Sequence, residues 1–571
     1  MSKKLYLLII ILVAFGLRFY KIGAHGLAGD EKYSLFVSQF VTYEGNNQRN
    51  SVRKPDSPYF TPKEFWSEKS TADFFDSIAR LDTGNGALYT YTLHFWSKIV
   101  GLHDADLRLL SLIFNLSTIL LLYFFVKIHF KDENLALIAV FLATISPFYI
   151  AYSQIARNYA MQFFLVLLAT HFLLLGLRNT NKTNLYFLLY GIAALASELC
   201  HISTFPIFLI HGLFVLIYYR NISTILRFGV SMIIPVLGII VWLNSDGGKW
   251  LIDYVSNSVK VYNLLAQTQP DEYLSVATPK NITKQLMHVI SAMYITADGL
   301  YSNLKGLKNF LIAIISTIVW MIVVFKVKNE KYKFITLIGI FITSLALYSV
   351  SKFHFFIFCI NLSLIPTTYY FVLKERDYEI RKLWVLLVLS SILPFVFLVV
   401  FALQDGNTFR IIPRYVGYSY VFNIILIAIL FWRIYRFKMI LKYWKLLGFA
   451  IQLFFIGSII VELYNDKAPR YFMNFPEPRQ ENPYTFAADK ILRTYAKGDT
   501  VLYPSRFDAT PGGKFMPKYS VVDAQLVNFY LPKDSEIIQR VNPNEPDKIV
   551  LKRQTGQEIL IFDLKGTKYR Y

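Results

Sequence analysis

Apolar residues fall in blocks near 5–22, 107–126, 134–152, 158–177, 184–200, 203–220 and 224–243, then near 308–326, 333–350, 354–373, 382–402, 414–432 and 444–464. Charged residues gather between them. Each block is long enough for a helix to cross a hydrocarbon core about 30 Å thick. In lipid a helix satisfies its own backbone without closing a barrel. The pattern therefore predicts a mainly α, polytopic bundle of about 13 transmembrane helices. The stretch 86–100 is also apolar, but it is short and carries His94 and Lys98. Counting it as a crossing would put every later basic loop outside. With Tyr89, Tyr91, Phe95 and Trp96, it reads as a helix lying along the outer interface.

Lysines and arginines orient the bundle. With the N-terminus in the cytoplasm, the inner loops hold Lys127 and Lys131, Arg178 and Lys182, and Arg220 and Arg227. Three later inner loops are richer still, the last with Arg433, Arg436, Lys438, Lys442 and Lys445. Short outer turns carry few basic residues, so the positive-inside rule is met throughout. Two long outer loops follow, at 23–106 and 244–307. A membrane domain over 1–464 then precedes an extracytoplasmic tail over 465–571, linked by Pro469, Pro476, Pro478 and Pro483. In the tail, 484–496 reads as an amphipathic helix, and 500–504, 520–522, 548–552 and 558–562 read as strands of a small soluble α/β domain.

Composition agrees with this reading. Apolar residues make up 55% of the 571 positions and mean hydropathy is +0.41, above a soluble chain of this size. The +21 net charge sits in inner loops and not on a basic-aromatic surface, which argues against a nucleic-acid partner. The two cysteines, Cys200 and Cys359, exclude a disulfide framework. Residues 1–20 lack a small-residue cleavage site and read as an uncleaved first span.

The chemistry-bearing residues lie on one predicted side. Asp30 and Glu31 follow the first crossing, where acidic residues would also suit a helix start. Asp82, Asn85 and Tyr89 open the interfacial helix, in a stretch that also reads as a turn and N-cap. Arg157 and Tyr159 lie in a short outer turn, where an arginine commonly reaches toward lipid headgroups. His201 occupies the next outer turn, and Arg410, Arg414 and Tyr415 precede the twelfth crossing. Together, one base, several cations and one membrane face suit sugar transfer from a lipid phosphate. A phosphate leaving group needs cationic partners, and arginine offers it two parallel hydrogen bonds. An acceptor hydroxyl needs one carboxylate base, whereas a glycosidase needs two cooperating carboxyl groups.

The Asp30-Glu31 pair, the Ser153-Gln154-x-x-Arg157-x-Tyr159 motif and Pro413-Arg414-Tyr415 resemble the GT-C integral-membrane glycosyltransferases. Most similar is the family 39, protein O-mannosyltransferase group, with the related lipid A aminoarabinose transferases. The resemblance implies a GT-C fold with Asp30 as catalytic base and Glu31 beside it. It implies a polyprenyl-phosphate sugar donor near Arg157, Tyr159, His201, Arg410, Arg414 and Tyr415. The second acidic motif departs from the family pattern, with Gly84-Asn85-Gly86-Ala87 replacing prolines. Asp82, Asn85 and Tyr89 are left as candidates for acceptor or metal contact, and no cofactor beyond a divalent metal ion is implied.

These residues predict an inverting transferase acting on an extracytoplasmic acceptor, in the setting of a bacterial inner membrane. The alternatives are a lipid-linked oligosaccharide ligase or polymerase, and a non-catalytic lipid or glycan transporter. Glu198 is the strongest candidate for a transporter's intramembrane charge, but no internal repeat suggests inverted halves.

Overall fold

The computed structural model describes residues 2–43, 59–79, 86–178, 180–271, 274–293, 375–436, 480–505, 520–567 and 570, with isolated positions at 322–332 and 453–465. The predicted spans at 308–326, 333–350 and 354–373 and most of 444–464 lie outside these, as do Asp82, Asn85 and Cys359. Among the described residues, five helices are long and apolar enough to cross a membrane, with a bent pair as a sixth.

The first half of the chain runs α1 (Lys3–Phe19), α2 (Gly29–Ser38), α3 (Pro62–Phe65), α4 (Thr71–Ile78), α5 (Ala87–Val100), α6 (Asp104–His129), α7 (Glu133–Thr144) and α8 (Pro147–Ser153). It continues through α9 (Tyr159–Gly176), α10 (Thr183–Cys200), α11 (Phe205–Tyr218), α12 (Ile222–Asn244), α13 (Asp246–Thr268) and α14 (Pro279–Met293). Two more apolar helices, α15 (Tyr378–Asp405) and α16 (Tyr420–Arg436), close the described bundle. The predicted crossing at 134–152 is not one straight helix: α7 and α8 meet at 61°. Pro147 has no N–H to continue the ladder, and Ser146 caps the new helix by accepting from the Tyr149 amide. The break leaves carbonyls at the end of α7 without helical partners. Arg18, fully buried near the end of α1, donates to the carbonyls of Ala143 and Thr144, each at 3.0 Å, and to Asn115 Oδ1 at 2.6 Å. One guanidinium thus ties α1, α6 and the bend together.

The two ends of the bundle differ in character. At one end Lys3 pairs with Glu133, Lys127 pairs with the same carboxylate, and Trp432 donates to Asp132. The turns holding Asp30, Arg157, His201 and Arg414 are at the other end. Loops predicted to be basic and inner therefore separate from the loops that carry the candidate chemistry.

The tail contains α17 (Pro483–Thr494), α18 (Val522–Asn528) and four strands, β2 (Thr500–Pro504), β3 (Ile538–Asn542), β4 (Lys548–Lys552) and β5 (Glu558–Asp563). The stretch 520–522, predicted as a strand, leads into α18 instead: Gln525 N–H bonds the Val521 carbonyl as the helix starts. β3 lies outside the predicted strands, because Gln539 and Arg540 interrupt its apolar residues. The first long loop supplies the fifth strand. β1 (Tyr59–Phe60) pairs antiparallel with β3, giving the order β1-β3-β2-β4-β5. Phe36, Val41, Phe60 and Phe65 from that loop join one buried cluster with Tyr484, Val527 and Phe529 of the tail. Trp66 Nε1 donates to the Asn528 carbonyl, and Gln525 donates to the Thr42 carbonyl, both at 2.9 Å. The boundary expected at 465 therefore does not separate two cores. Truncation before Gln480 should uncover this apolar face. The expected result is aggregated or protease-sensitive protein on detergent size exclusion; a monodisperse, protease-resistant product would show that the membrane part folds alone.

A candidate active site at one end of the bundle

α2 carries the first motif, and its geometry follows from a 100° turn per residue. Its start is closed by Glu31, whose Oε2 accepts from the Ala28 amide at 2.9 Å, while Asp30 and Glu31 both suit the positive end of the helix. Because the two carboxylates are adjacent, they point in different directions and meet different partners.

Asp30 faces the open side. Its Oδ2 accepts from Arg414 Nη1 at 2.8 Å, and both side chains are partly exposed. Arg157 Nη1 donates to the Asp30 carbonyl at 3.2 Å and reaches Ser34 Oγ, one turn further along the same face, at 3.5 Å. Arginines 384 and 127 positions away in sequence thus meet at Asp30, one on its carboxylate and the other on its backbone carbonyl.

Glu31 turns into the protein and is 1% exposed. Oε1 accepts from Arg108 Nε and from the Ala156 amide, both at 2.8 Å, while Oε2 accepts from Arg108 Nη2 at 2.9 Å. Arg108 is itself fully buried and also donates to the carbonyls of Ile22, His25 and Gly26. Burial pushes the Glu31 carboxyl up, but the Arg108 charge and hydrogen bonds outweigh this and hold it at about 2. Glu31 was expected beside Asp30 as part of the catalytic pair. Instead, its oxygens are filled by protein donors and turned away from the open side. Arg108, which fixes it, has one signal in the sequence, a charge one residue inside an apolar span, and nothing there names its partner.

The Arg157 turn is held from several directions. Its carbonyl accepts from Ser111 Oγ at 3.2 Å, and Ser111 is hydrogen-bonded to the Tyr89 hydroxyl at 3.0 Å. Asn158 Nδ2 donates to the Cys200 carbonyl at 2.6 Å, and Cys200 Sγ returns a bond to the Asn158 carbonyl at 3.3 Å. This reciprocal pair brings the His201 turn beside the Arg157 turn. The Ser203 hydroxyl donates to the Tyr415 carbonyl, and the Tyr418 hydroxyl donates to the Ser203 carbonyl, which adds the 413–415 turn. His201 then packs its ring between Tyr159 and Tyr415, at centroid distances of 6.2 and 5.7 Å.

His201 was expected among the cations. Burial, with Arg157 and Arg414 adding to it, lowers its pKa to about 3, so the imidazole is neutral near pH 7. Its Nδ1 accepts from the Ser203 amide at 3.2 Å, which leaves the proton on Nε2. Tyr89 also differs from expectation. It is buried against Ser111, and burial raises its phenol pKa, so it does not offer the exposed oxygen that acceptor or metal binding would need. Arg410 pairs with Asp405 at 3.1 Å rather than with Asp30. Among the described residues no group of three or more histidine, cysteine, aspartate and glutamate side chains could hold a metal ion. Asp82 and Asn85 lie outside the described residues.

The arrangement is a carboxylate with two arginines and a neutral imidazole donor, presented at one end of a helical membrane bundle. Residues 85–243 match the family model described as dolichyl-phosphate-mannose-protein mannosyltransferase. That segment contains Arg157, Tyr159 and His201, and the match agrees with the resemblance carried by the motifs. No curated protein matches the chain. Solved structures that it resembles include the archaeal oligosaccharyltransferase AglB from Archaeoglobus fulgidus, in complex with an inhibitory peptide and a dolichol-phosphate, at 13% identity and a TM-score of 0.43. That alignment covers 87% of this chain and 58% of the archaeal one. ArnT from Cupriavidus metallidurans bound to undecaprenyl phosphate aligns at 12% identity and a TM-score of 0.36, covering 93% of this chain and 85% of that one. The same protein in the apo state gives 11% identity and a TM-score of 0.38, covering 95% and 87%.

Removing one member of the Glu31–Arg108 pair leaves the other charge buried, which typically costs about 3–5 kcal/mol. Glu31→Gln is therefore expected to lower the melting temperature of the purified protein. Because the folded-state pKa lies below the ordinary 4.5, this stabilisation is complete above about pH 4.5 and lost as pH falls through about 2. The melting difference between wild type and Glu31→Gln should narrow across that window; a difference unchanged by pH would contradict the charge pair.

Proposed function

We propose that this chain is an inverting glycosyltransferase that moves a sugar from a polyprenyl-phosphate donor to an acceptor on the non-cytoplasmic side. The observation that carries the reading is the 2.8 Å contact between Asp30 and Arg414, with Arg157 against the same helix turn. The family matched by residues 85–243, described by a dolichyl-phosphate sugar, supports the choice of donor class.

In this reading Asp30 accepts the proton of the acceptor hydroxyl as that oxygen forms its bond to the anomeric carbon. The bond between that carbon and the phosphate oxygen breaks on the opposite face, and the polyprenyl phosphate leaves as an anion. One displacement inverts the anomeric centre. Arg157 and Arg414 offset the charge on the departing phosphate through forked hydrogen bonds, and His201 adds a neutral Nε2–H donor. The leaving group is stable as an anion, so the site needs no second carboxyl acting as an acid. Glu31, saturated by Arg108 and Ala156, positions the helix that carries Asp30.

Arg414 has a double duty: without donor it neutralises Asp30, and with donor it also meets phosphate. Arg414→Gln should therefore weaken donor binding by about tenfold or more, the scale of a hydrogen bond to a charged group. Asp30→Asn should lower turnover by about 10²–10⁴-fold, the usual contribution of a general base, while donor binding persists. Purified protein, a radiolabelled polyprenyl-phosphate sugar and envelope acceptors would test both, reading labelled product and released polyprenyl phosphate. Full transfer by Asp30→Asn would remove Asp30 from the chemistry. Sugar transfer with retained anomeric configuration would reject the single displacement.

A further inference from the structure

Three consecutive residues of α2 point three ways. Asp30 faces Arg414, Glu31 faces Arg108 inside the bundle, and Lys32 faces the tail. Lys32 is 2% exposed, and its Nζ lies 5.5 Å from the centre of the Tyr484 ring on α17. The Tyr484 hydroxyl donates to Asp523 Oδ1 at 2.7 Å, on α18. The other oxygen of Asp523 accepts from Arg570 Nη2 at 2.8 Å, and Arg570 also pairs with Asp547. The acidic groups acting on Lys32 are Asp523, Asp104 and Glu31; of these, Asp104 accepts from the tail's Asn482 and Tyr530. A connected set of charged and polar side chains therefore runs from the last strands and C-terminal residues to the helix that carries the candidate base.

A buried lysine is an unexpected choice for packing alone. The surrounding cluster includes Leu35, Phe36, Tyr484 and Phe529, and an apolar side chain would fill the same space without desolvating a charge. Burial lowers the Lys32 pKa to about 7 against the pull of Asp523, Asp104 and Glu31. What a charge adds over an apolar group is direction, because it favours one rotation of α2 about its axis. Glu31 anchors that rotation to the bundle, and Lys32, about 100° away, anchors it to the tail. Asp30, next to Glu31, is oriented by both.

We infer that Lys32 is a positioning residue through which the C-terminal segment sets the orientation of Asp30. The inference rests on the proposed transfer reaction, with Asp30 as base. The tail thereby contributes to turnover without touching the donor. Displacing a reacting group by about 1 Å can cost about a hundredfold in rate, so a small rotation of α2 is enough to matter.

The test uses full-length protein purified in detergent, with Lys32→Met, Lys32→Arg and Asp523→Asn compared with wild type and Asp30→Asn. Lys32→Met and Asp523→Asn are expected to lower kcat by about ten- to a hundredfold while donor KM stays within about twofold. Lys32→Arg should restore most of the loss, since it keeps the charge. In parallel, amide hydrogen exchange over Gly29–Ser38 should accelerate in the Met and Asn variants. Wild-type kcat in Lys32→Met, a loss confined to KM, equal impairment of Arg and Met, or unchanged α2 exchange would each overturn the inference. If Lys32→Met does not fold, Asp523→Asn decides by the same criteria from the other side of the contact. A wild type without transfer, or an active Asp30→Asn, would defeat the reaction itself, and α2 exchange would still decide whether this contact holds the helix.

Discussion

The buried pair between Glu31 and Arg108 fixes the frame on which the site is assembled. Its two partners belong to α2 and α6, and Glu31 also accepts from the Ala156 amide in the next outer turn. Arg108 spends its remaining donors on the carbonyls of Ile22, His25 and Gly26, in the loop between α1 and α2. Two desolvated ions are costly, and such a pair is sustained when hydrogen bonds satisfy both members. Here they are satisfied, so the entry to α2, the start of α6 and the Arg157 turn share one geometry. Asp30, one residue before Glu31, inherits that geometry.

The same logic governs the rest of the site. Its candidate groups lie on helix ends and short turns, where backbone groups can be tied to neighbours. Arg18 closes the carbonyls opened by the bend at Pro147, and the bent helix then runs directly to the Gln154–Arg157 turn. Gln154 donates back to the carbonyls of Arg18 and Tyr20 at 2.9 and 2.7 Å. Asn158 and Cys200 join this turn to the next. Each link is a buried hydrogen bond that would be costly to leave unmade, which favours one relative placement of the turns.

Charge is divided between two adjacent carboxylates by environment. Glu31 is enclosed by a cation and two amides, while Asp30 keeps one oxygen contact to Arg414 at the edge of the open side. Helical geometry creates the division, since neighbouring side chains leave the axis about 100° apart. A sequence that reads Asp-Glu therefore produces one buried anchor and one partly exposed carboxylate paired with Arg414.

How much of this was legible follows from the range of the interactions. Local periodicity sufficed for the apolar helices that lie among the described residues, for the helix at 87–100 and for three strands of the tail. The motif residues Asp30, Arg157, His201 and Arg414 were visible as a set because their turns were all assigned to one side. Arg18, Arg108 and Lys32 were not, since a charge inside or beside an apolar run carries no mark of its partner. β1 was equally hidden: two residues gain a strand identity only by pairing with a strand more than 470 positions later. The sequence alone marked which segments are long and apolar enough to cross a membrane, because that depends on composition and spacing within each segment. Only the tertiary structure decided which carboxylate faces the open side and which groups surround it, because hydrogen bonds and ion pairs are short-ranged and depend on where distant segments meet.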